Sequence, residues 1–437
     1  MYPLYRRAPA RYRWPPAVAA VLLAAAVLPS LAEADSAALA LGEVERLAVS
    51  GQPILIGLEA QARAARETAV ATRQLPDPQF VTGIQDVPVN TSDAWSLRRD
   101  SDTQIQAGLM QEFPRAEKRR LRGELHEREA GRLQAEHHLA WRTVRRDAAL
   151  AWLQVWKYDQ TLRLTRESLR EAETQMQVVE IALRTGSATQ AEFLTARQEV
   201  DRLKDAAAAA EQSMAHARNG LSRWIGDEAF RPVAADLPEL PALPSLDVVL
   251  ERVRQHPHLA GAAAQVAMAQ TSADLAFAAY KPDWRVEVGY GYRPEFSEMA
   301  MLQVGIDLPV FTRNRQDRAV AAAHAQQEAA AAAVDDAARQ LLSEARLNHQ
   351  DWQRLIARLK AYDEGLLPQS SSRITASLAG WRSGRGLLRD VIDARRGALE
   401  LQMARLDLQS DLTMHTIQLS YLGAFEDASG TGDPNHE

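Results

Sequence analysis

The stretch that decides the fold is residues 186–221, GSATQAEFLTARQEVDRLKDAAAAAEQSMAHARNGL. Steps of three and four from Phe193 pick out Phe193, Ala196, Val200, Leu203, Ala207, Ala210, Met214, Ala217 and Leu221, all apolar. An unbroken 3-4 alternation is the seam of a left-handed coiled coil. The chain writes it twice. Adding 198 to each number gives Val391, Ala394, Ala398, Leu401, Arg405, Leu408, Leu412, His415 and Leu419, in which only Arg405 and His415 break the register. Each seam follows a similar basic turn, Arg184-Thr185-Gly186 and then Arg382-Ser383-Gly384. A turn and a heptad register repeated together predict a duplicated helical hairpin.

Working outward, each tip is preceded by a long helical run, Arg115–Leu183 and Thr312–Trp381. An unbroken run of this kind reaches roughly 100 Å at ~1.5 Å rise per residue, longer than any globular domain needs. Gly365 and Pro368 are expected to disturb the second run. Alanine-rich faces at 206–210, 319–323 and 329–333 permit close approach of helices, or serve only as helix-forming filler.

Ahead of each long run lies a strand pair. Leu75-Pro76-Asp77-Pro78 ends a helical segment (38–74, interrupted at Gly51-Gln52-Pro53), and Gln79–Val87 then reads as a strand. Thr103–Phe113 alternates Ile105, Ala107 and Leu109 against Gln104, Gln106 and Gly108. The second copy repeats the order. A helical segment 246–280 breaks at His256-Pro257, and Trp284, Val286, Val288, Tyr290 and Tyr292 then alternate with Arg285, Glu287, Gly289 and Gly291. Leu302, Val304, Ile306 and Leu308 follow after a short turn. The domains expected are a first repeat at 35–225 (strands 79–113, hairpin 115–222), a proline-rich connector at 226–245 and a second repeat at 246–424 (strands 284–310, hairpin 312–423). Residues 425–437 read as a polar, disordered tail.

Net charge is -6 with acids and bases mixed along the chain, which excludes a nucleic-acid binder. The absence of Cys excludes thiol catalysis, Cys-based metal sites, disulfides and a lipidated N-terminus. A mean hydropathy of -0.31 excludes a polytopic helical membrane protein. Residues 1–34 carry Arg6, Arg7, Arg11 and Arg13 ahead of an apolar core and a small-x-small site, the pattern of a cleavable export signal.

Strands with one apolar and one polar face, in an exported chain whose long helices are too polar to cover them, fit an outer-membrane barrel. Lipid tolerates no open sheet edge, and four strands cannot close on themselves. Strands from several chains must therefore share one barrel, with the hairpins extending it as a tube of coiled coils. The fold class expected is mainly α with a transmembrane β-barrel.

The sequence at this point resembles the TolC-type outer-membrane efflux proteins over nearly the whole mature chain. The carriers are the strand entries at Pro78 and Pro282, the exits Glu112-Phe113-Pro114 and Asp307-Leu308-Pro309, and the two tip turns. The resemblance implies a homotrimer with a twelve-stranded barrel and an α-barrel in the periplasm. It also implies the exit duct of a tripartite pump, working with a periplasmic adaptor and an inner-membrane RND-type transporter. In overall style the chain is similar to the heavy-metal subgroup. The resemblance further implies acidic rings at the pore entrance; by position these are Glu192, Asp390 and Asp393. First-turn acids are also favoured by the helix macrodipole. Tip closure and adaptor contact fall, by the same resemblance, to Arg184, Gly186, Trp381, Arg382, Gly384, Arg385 and Arg389. Gly386 stands where the best-known members carry an arginine that links the tips, and Arg382, Arg385 or Arg389 could supply that contact.

Walker loops, metal-ligand clusters and nucleophile elbows are missing, so neither cofactor nor catalysis is expected. His137-His138 and His256/His258 read as solvated histidines, and Trp141, Trp152, Trp156 and Trp352 as packing residues. Two readings compete with the duct: the exit channel of a type I protein-secretion system, and a barrel-less periplasmic coiled-coil adaptor or scaffold.

Overall fold

Proline and glycine punctuate the chain where the sequence places them. Helix α1 (Leu41–Val49) stops before Gly51 at φ +74°, and α2 (Pro53–Thr72) starts with Pro53 at the first helical position, where its missing N–H costs nothing. The strands are β1 (Gln79–Gln85) and β2 (Gln104–Phe113), and α3 (Ala116–Arg184) follows as one unbroken helix of 69 residues. Helix α4 (Gln190–Ile225) returns from the first tip. The second half runs α5 (Leu246–Val253), α6 (Pro257–Ala278), β3 (Trp284–Tyr292), β4 (Met299–Ile306), α7 (Gln316–Ala361), α8 (Leu367–Arg382) and α9 (Leu388–Tyr421). This computed structural model describes residues 38–90 and 92–425; the expected export signal and the tail from 426 onward lie outside them.

Several expectations need correction in detail. The strand expected to 87 ends at Gln85, because Asp86 turns into the left-handed region at φ +56°. The disturbance near Gly365 and Pro368 is a π turn over Tyr362–Leu366 rather than a break, which lets the helix pass a residue that lacks an N–H. The connector opens with a 3-10 turn at Gly226–Phe230, and Val233 then bridges Leu39 in parallel. Phe425, assigned to the tail, packs against Val249, Val253 and Leu422. His256 is not solvated but buried, accepting from the His258 N–H at Nδ1 (3.2 Å). That acceptor role leaves the proton on Nε2, which faces the Tyr421 carbonyl at 3.2 Å. In the alanine runs of α7, Ala323 is buried while Ala319, Ala321 and Ala322 stay exposed within the single chain.

The seam positions are where the hairpins pack. Ala196, Val200, Leu203, Ala207, Ala210 and Leu221 are buried in the first copy, as are Val391, Ala394, Ala398, Leu408, Leu412 and Leu419 in the second. The two breaks are polar matches across the interface. Arg405 Nε reaches Asp363 Oδ1 at 2.5 Å within the π turn, and His415 Nδ1 lies 2.7 Å from Oδ1 of buried Asn348. The tryptophans are packing residues. Trp152 is buried with its Nε1–H on the Leu39 carbonyl (2.8 Å), and Trp156 donates to the Ala235 carbonyl (2.9 Å).

The sheet is a four-stranded antiparallel meander in the order β1-β2-β3-β4. Its register aligns most of the apolar residues of all four strands on one face. Phe80, Leu109, Val288 and Leu302 form one row, and Phe113, Trp284 and Ile306 another. The opposite face carries Val81, Gly108, Gly289 and Met301 in one row and Gln79, Met110, Glu287 and Gln303 in the next. Among the described residues nothing covers the apolar face: Phe80 is 68% exposed and Leu302 71%. Strands β1 and β4 each keep one unpaired edge. An exposed apolar sheet with two open edges is unstable in water alone.

Candidate functional site

The two hairpin tips are built alike. At the first, Gly186 adopts φ +76°, and the Ala182 carbonyl accepts from the N–H groups of Ser187 (2.8 Å) and Ala188 (3.1 Å), closing the last turn of α3. At the second, Gly384 adopts φ +68°, and the Gly380 carbonyl accepts from Arg385 and Gly386, both at 3.0 Å. A left-handed residue is required at each corner, and glycine adopts it without the Cβ clash.

The acid six places after each glycine starts the return helix. Glu192 completes a capping box: its N–H donates to Thr189 Oγ1 (3.2 Å), and its carboxylate accepts from the Thr189 N–H (2.8 Å). Asp390 makes half of the same device, accepting from the Leu387 N–H at 3.3 Å. With leucine at the cap no side-chain oxygen answers, and the Asp390 N–H falls back on the Leu387 carbonyl (3.1 Å). Asp390 remains exposed, and Asp393, half-buried, pairs with Arg389 at 3.5 Å.

The basic residues differ in what they touch. Arg184 pairs back to Glu180 (2.5 Å) on its own helix, and Arg385 Nε donates to Ser383 Oγ (3.2 Å). Arg382 is exposed at the end of α8. Trp381 is half-buried and packs with Phe193, Met176 and Ala188 around Val179, Ala196, Leu388 and Ile392. This cluster joins the two tips to each other. The missing side chain at position 386 also has a cause. A Cβ on Gly386 would lie 3.2 Å from the backbone of Gly380 and Trp381, so the second tip crosses itself at a glycine pair.

One buried charged residue escaped the sequence. Glu199 in α4 is 7% exposed and receives Arg202 of its own helix (Nη2 to Oε1, 2.7 Å) and Arg396 of α9 (Nε to Oε2, 2.8 Å). Burial by itself raises its pKa. The hydrogen bonds from Arg202 and Arg396 more than offset that, so the carboxylate sits below its ordinary value and stays charged. The node pins one hairpin to the other above the tip cluster. Beside Val200, Glu199 looks like any solvated flank of a heptad, and its burial depends on where α9 lies. A small cavity of about 120 Å³ adjoins it, lined by Gln175, Arg395 and Gln402 among others.

Among the described residues no group of His, Cys, Asp or Glu could hold a metal ion, and no helix is long and apolar enough to cross a membrane. The features that stand out are a sheet with an exposed apolar face and two free edges, and a pair of tips packed against each other.

Comparison with known proteins agrees with this architecture. The family model described as outer membrane efflux protein matches residues 46–227 and 250–423, one segment per repeat. No curated protein sequence matches the chain. Among solved structures, CusC superposes with a TM-score of 0.74 at 17% identity over 87% of this chain and 91% of its own. VceC, an outer membrane protein of Vibrio cholerae, gives 0.72 at 17% identity over 88% of this chain and 96% of its own. The open-state MtrE outer membrane channel of Neisseria gonorrhoeae gives 0.70 at 18% identity over 88% of each chain. Two matched segments, in the order of the two strand-and-hairpin units, cover most of the sequence, and the chain belongs to the outer membrane efflux protein family.

Proposed function

We propose that the protein is the trimeric outer-membrane exit duct of a tripartite efflux pump, passive in itself and gated at the hairpin tips. The observation that carries this reading is the sheet. Most of its apolar residues share one exposed face, and β1 and β4 leave both edges free. Three copies joined edge to edge give a closed twelve-stranded barrel with the apolar face on lipid and the glycine- and glutamine-rich face in the bore. The long hairpins continue the bore on the periplasmic side. There a periplasmic adaptor grips the turns at 186–190 and 384–388, and an inner-membrane RND-type transporter supplies the energy. CusC, which forms a transmembrane channel, and MtrE, an outer membrane channel with an open state, lend support by likeness of fold.

At the entrance, Asp390 and Asp393 supply the acidic ring around the threefold axis, with Glu192 beside it as a capping residue. The test is reconstitution of the mature, detergent-extracted chain in planar bilayers. The expected outcome is a trimer with a small cation-selective conductance. Changing Asp390 and Asp393 together to Asn keeps an acceptor oxygen at the cap of α9 but removes the charge, and should lower the cation-to-anion permeability ratio about tenfold at low salt. A chain released by osmotic shock as a water-soluble monomer would instead be the coiled-coil scaffold.

A further inference from the structure

The two repeats leave the sheet differently. In the first, Pro114 follows Phe113 and α3 begins at Ala116. In the second, Pro309 is followed by Val310-Phe311-Thr312-Arg313-Asn314-Arg315 before α7 begins at Gln316. This added stretch is held in a turn. The Val310 N–H donates to the Leu308 carbonyl (3.0 Å), and the Thr312 carbonyl accepts from Arg315 (2.9 Å) and Asp317 (3.1 Å). It presents apolar side chains outward. Phe311 is 83% exposed, the highest value of any large apolar residue among the described residues, and Leu308 and Val310 are at 68% and 67%. Arg313 and Arg315 beside them are exposed and make no ion pair among the described residues.

We infer that 308–315 is a lipid-binding foot. Leu308, Val310 and Phe311 enter the acyl chains of the leaflet nearest the helical tube, and Arg313 and Arg315 bind the phosphates of anionic phospholipid. Two features of the stretch select lipid. Leu308 continues the apolar register of Leu302, Val304 and Ile306, and the foot follows directly on the row of Phe113, Trp284 and Ile306, so its apolar side extends the face that meets the membrane. An apolar group next to free guanidinium groups also matches the boundary between acyl chains and headgroups, where aromatics and cations anchor proteins. The first repeat has no such stretch, so a trimer carries one foot per chain. The inference rests on the duct reading.

The chain has no cysteine, so Phe311→Cys can be labelled alone with a polarity-sensitive fluorophore on the full-length protein. Vesicles of phosphatidylcholine and phosphatidylglycerol carry it, with Ala116→Cys as the matching position of the first repeat. At position 311 the label should be quenched by nitroxide-bearing lipid and shielded from aqueous iodide, and at 116 the reverse. Replacing Arg313 and Arg315 by Gln should lower the association of spin-labelled phosphatidylglycerol relative to phosphatidylcholine, by about fivefold per arginine at low salt. Quenching of position 311 by iodide would overturn the inference. So would shielding from both quenchers with a disulfide formed between Phe311→Cys and Leu75→Cys of two copies, which would make the stretch a protomer seam. Conductance separates the two levels: a conducting trimer whose label ignores nitroxide lipid loses only the foot, whereas a chain that never conducts loses the duct as well.

Discussion

His256 shows how much one side chain can change when the chain folds. In sequence it is a histidine beside a proline at a helix break, and solvent exposure is the natural expectation. In the structure Tyr421 from the last helix closes over it, and its ring stacks edge-on to Tyr421 at 5.0 Å between centroids. Burial, with Arg142 nearby, pushes its pKa down from 6.5 to about 4. The unfolded chain therefore binds a proton at a higher pH than the folded one. The stability this site contributes is complete above 6.5, declines below it and is gone below about 4. The total is on the order of 3 kcal/mol. Urea unfolding across that window should show a clear loss for the native protein, and a visibly smaller one for His256→Asn, which retains a capping oxygen. Gly386 gives a second prediction at this scale. Gly386→Ala places a methyl 3.2 Å from the Gly380 backbone, so the tip must open by a few tenths of an ångström. The expected cost is about 1 kcal/mol, with faster hydrogen exchange confined to 380–390. Unchanged exchange there would mean that the glycine pair is not a close crossing.

At the scale of elements, the coiled-coil seams were legible because their period is a property of the local chain. The same holds for the tip glycines, the proline-bounded strands and the strand alternation. The two seam breaks were visible as breaks, but their meaning was not. Arg405 is accommodated because the π turn brings Asp363 opposite it, 42 positions earlier in sequence. Glu199 is the stronger case. Its guanidinium partners come from its own helix and from one 197 positions away, and only the packing of α4 on α9 turns a flanking acid into a buried one. Glu199→Gln should destabilise the hairpin pair by roughly 2–3 kcal/mol, less than a fully buried pair would lose because both arginines partly reach water. Glu199→Gln with Arg396→Gln should recover part of that loss. A double variant as unstable as the sum of the two single ones would mean that Glu199 and Arg396 do not act together.

The whole molecule is one unit written twice, and its halves have diverged at the ends rather than in the middle. Each copy keeps its helix pair, its strand pair and its long hairpin, while the first has the longer loop between strands and the second the longer exit from them. What the sequence by itself determined is everything set by short-range periodicity: the duplicated hairpins, the alternating strands and the turns. What only the tertiary structure decided is which polar groups are taken out of water. Glu199 and His256 read as ordinary surface residues, yet each is buried by elements far away in sequence. Their roles follow from a partner's position, and a partner's position is not encoded in the local alternation of apolar and polar residues that makes helices and strands readable.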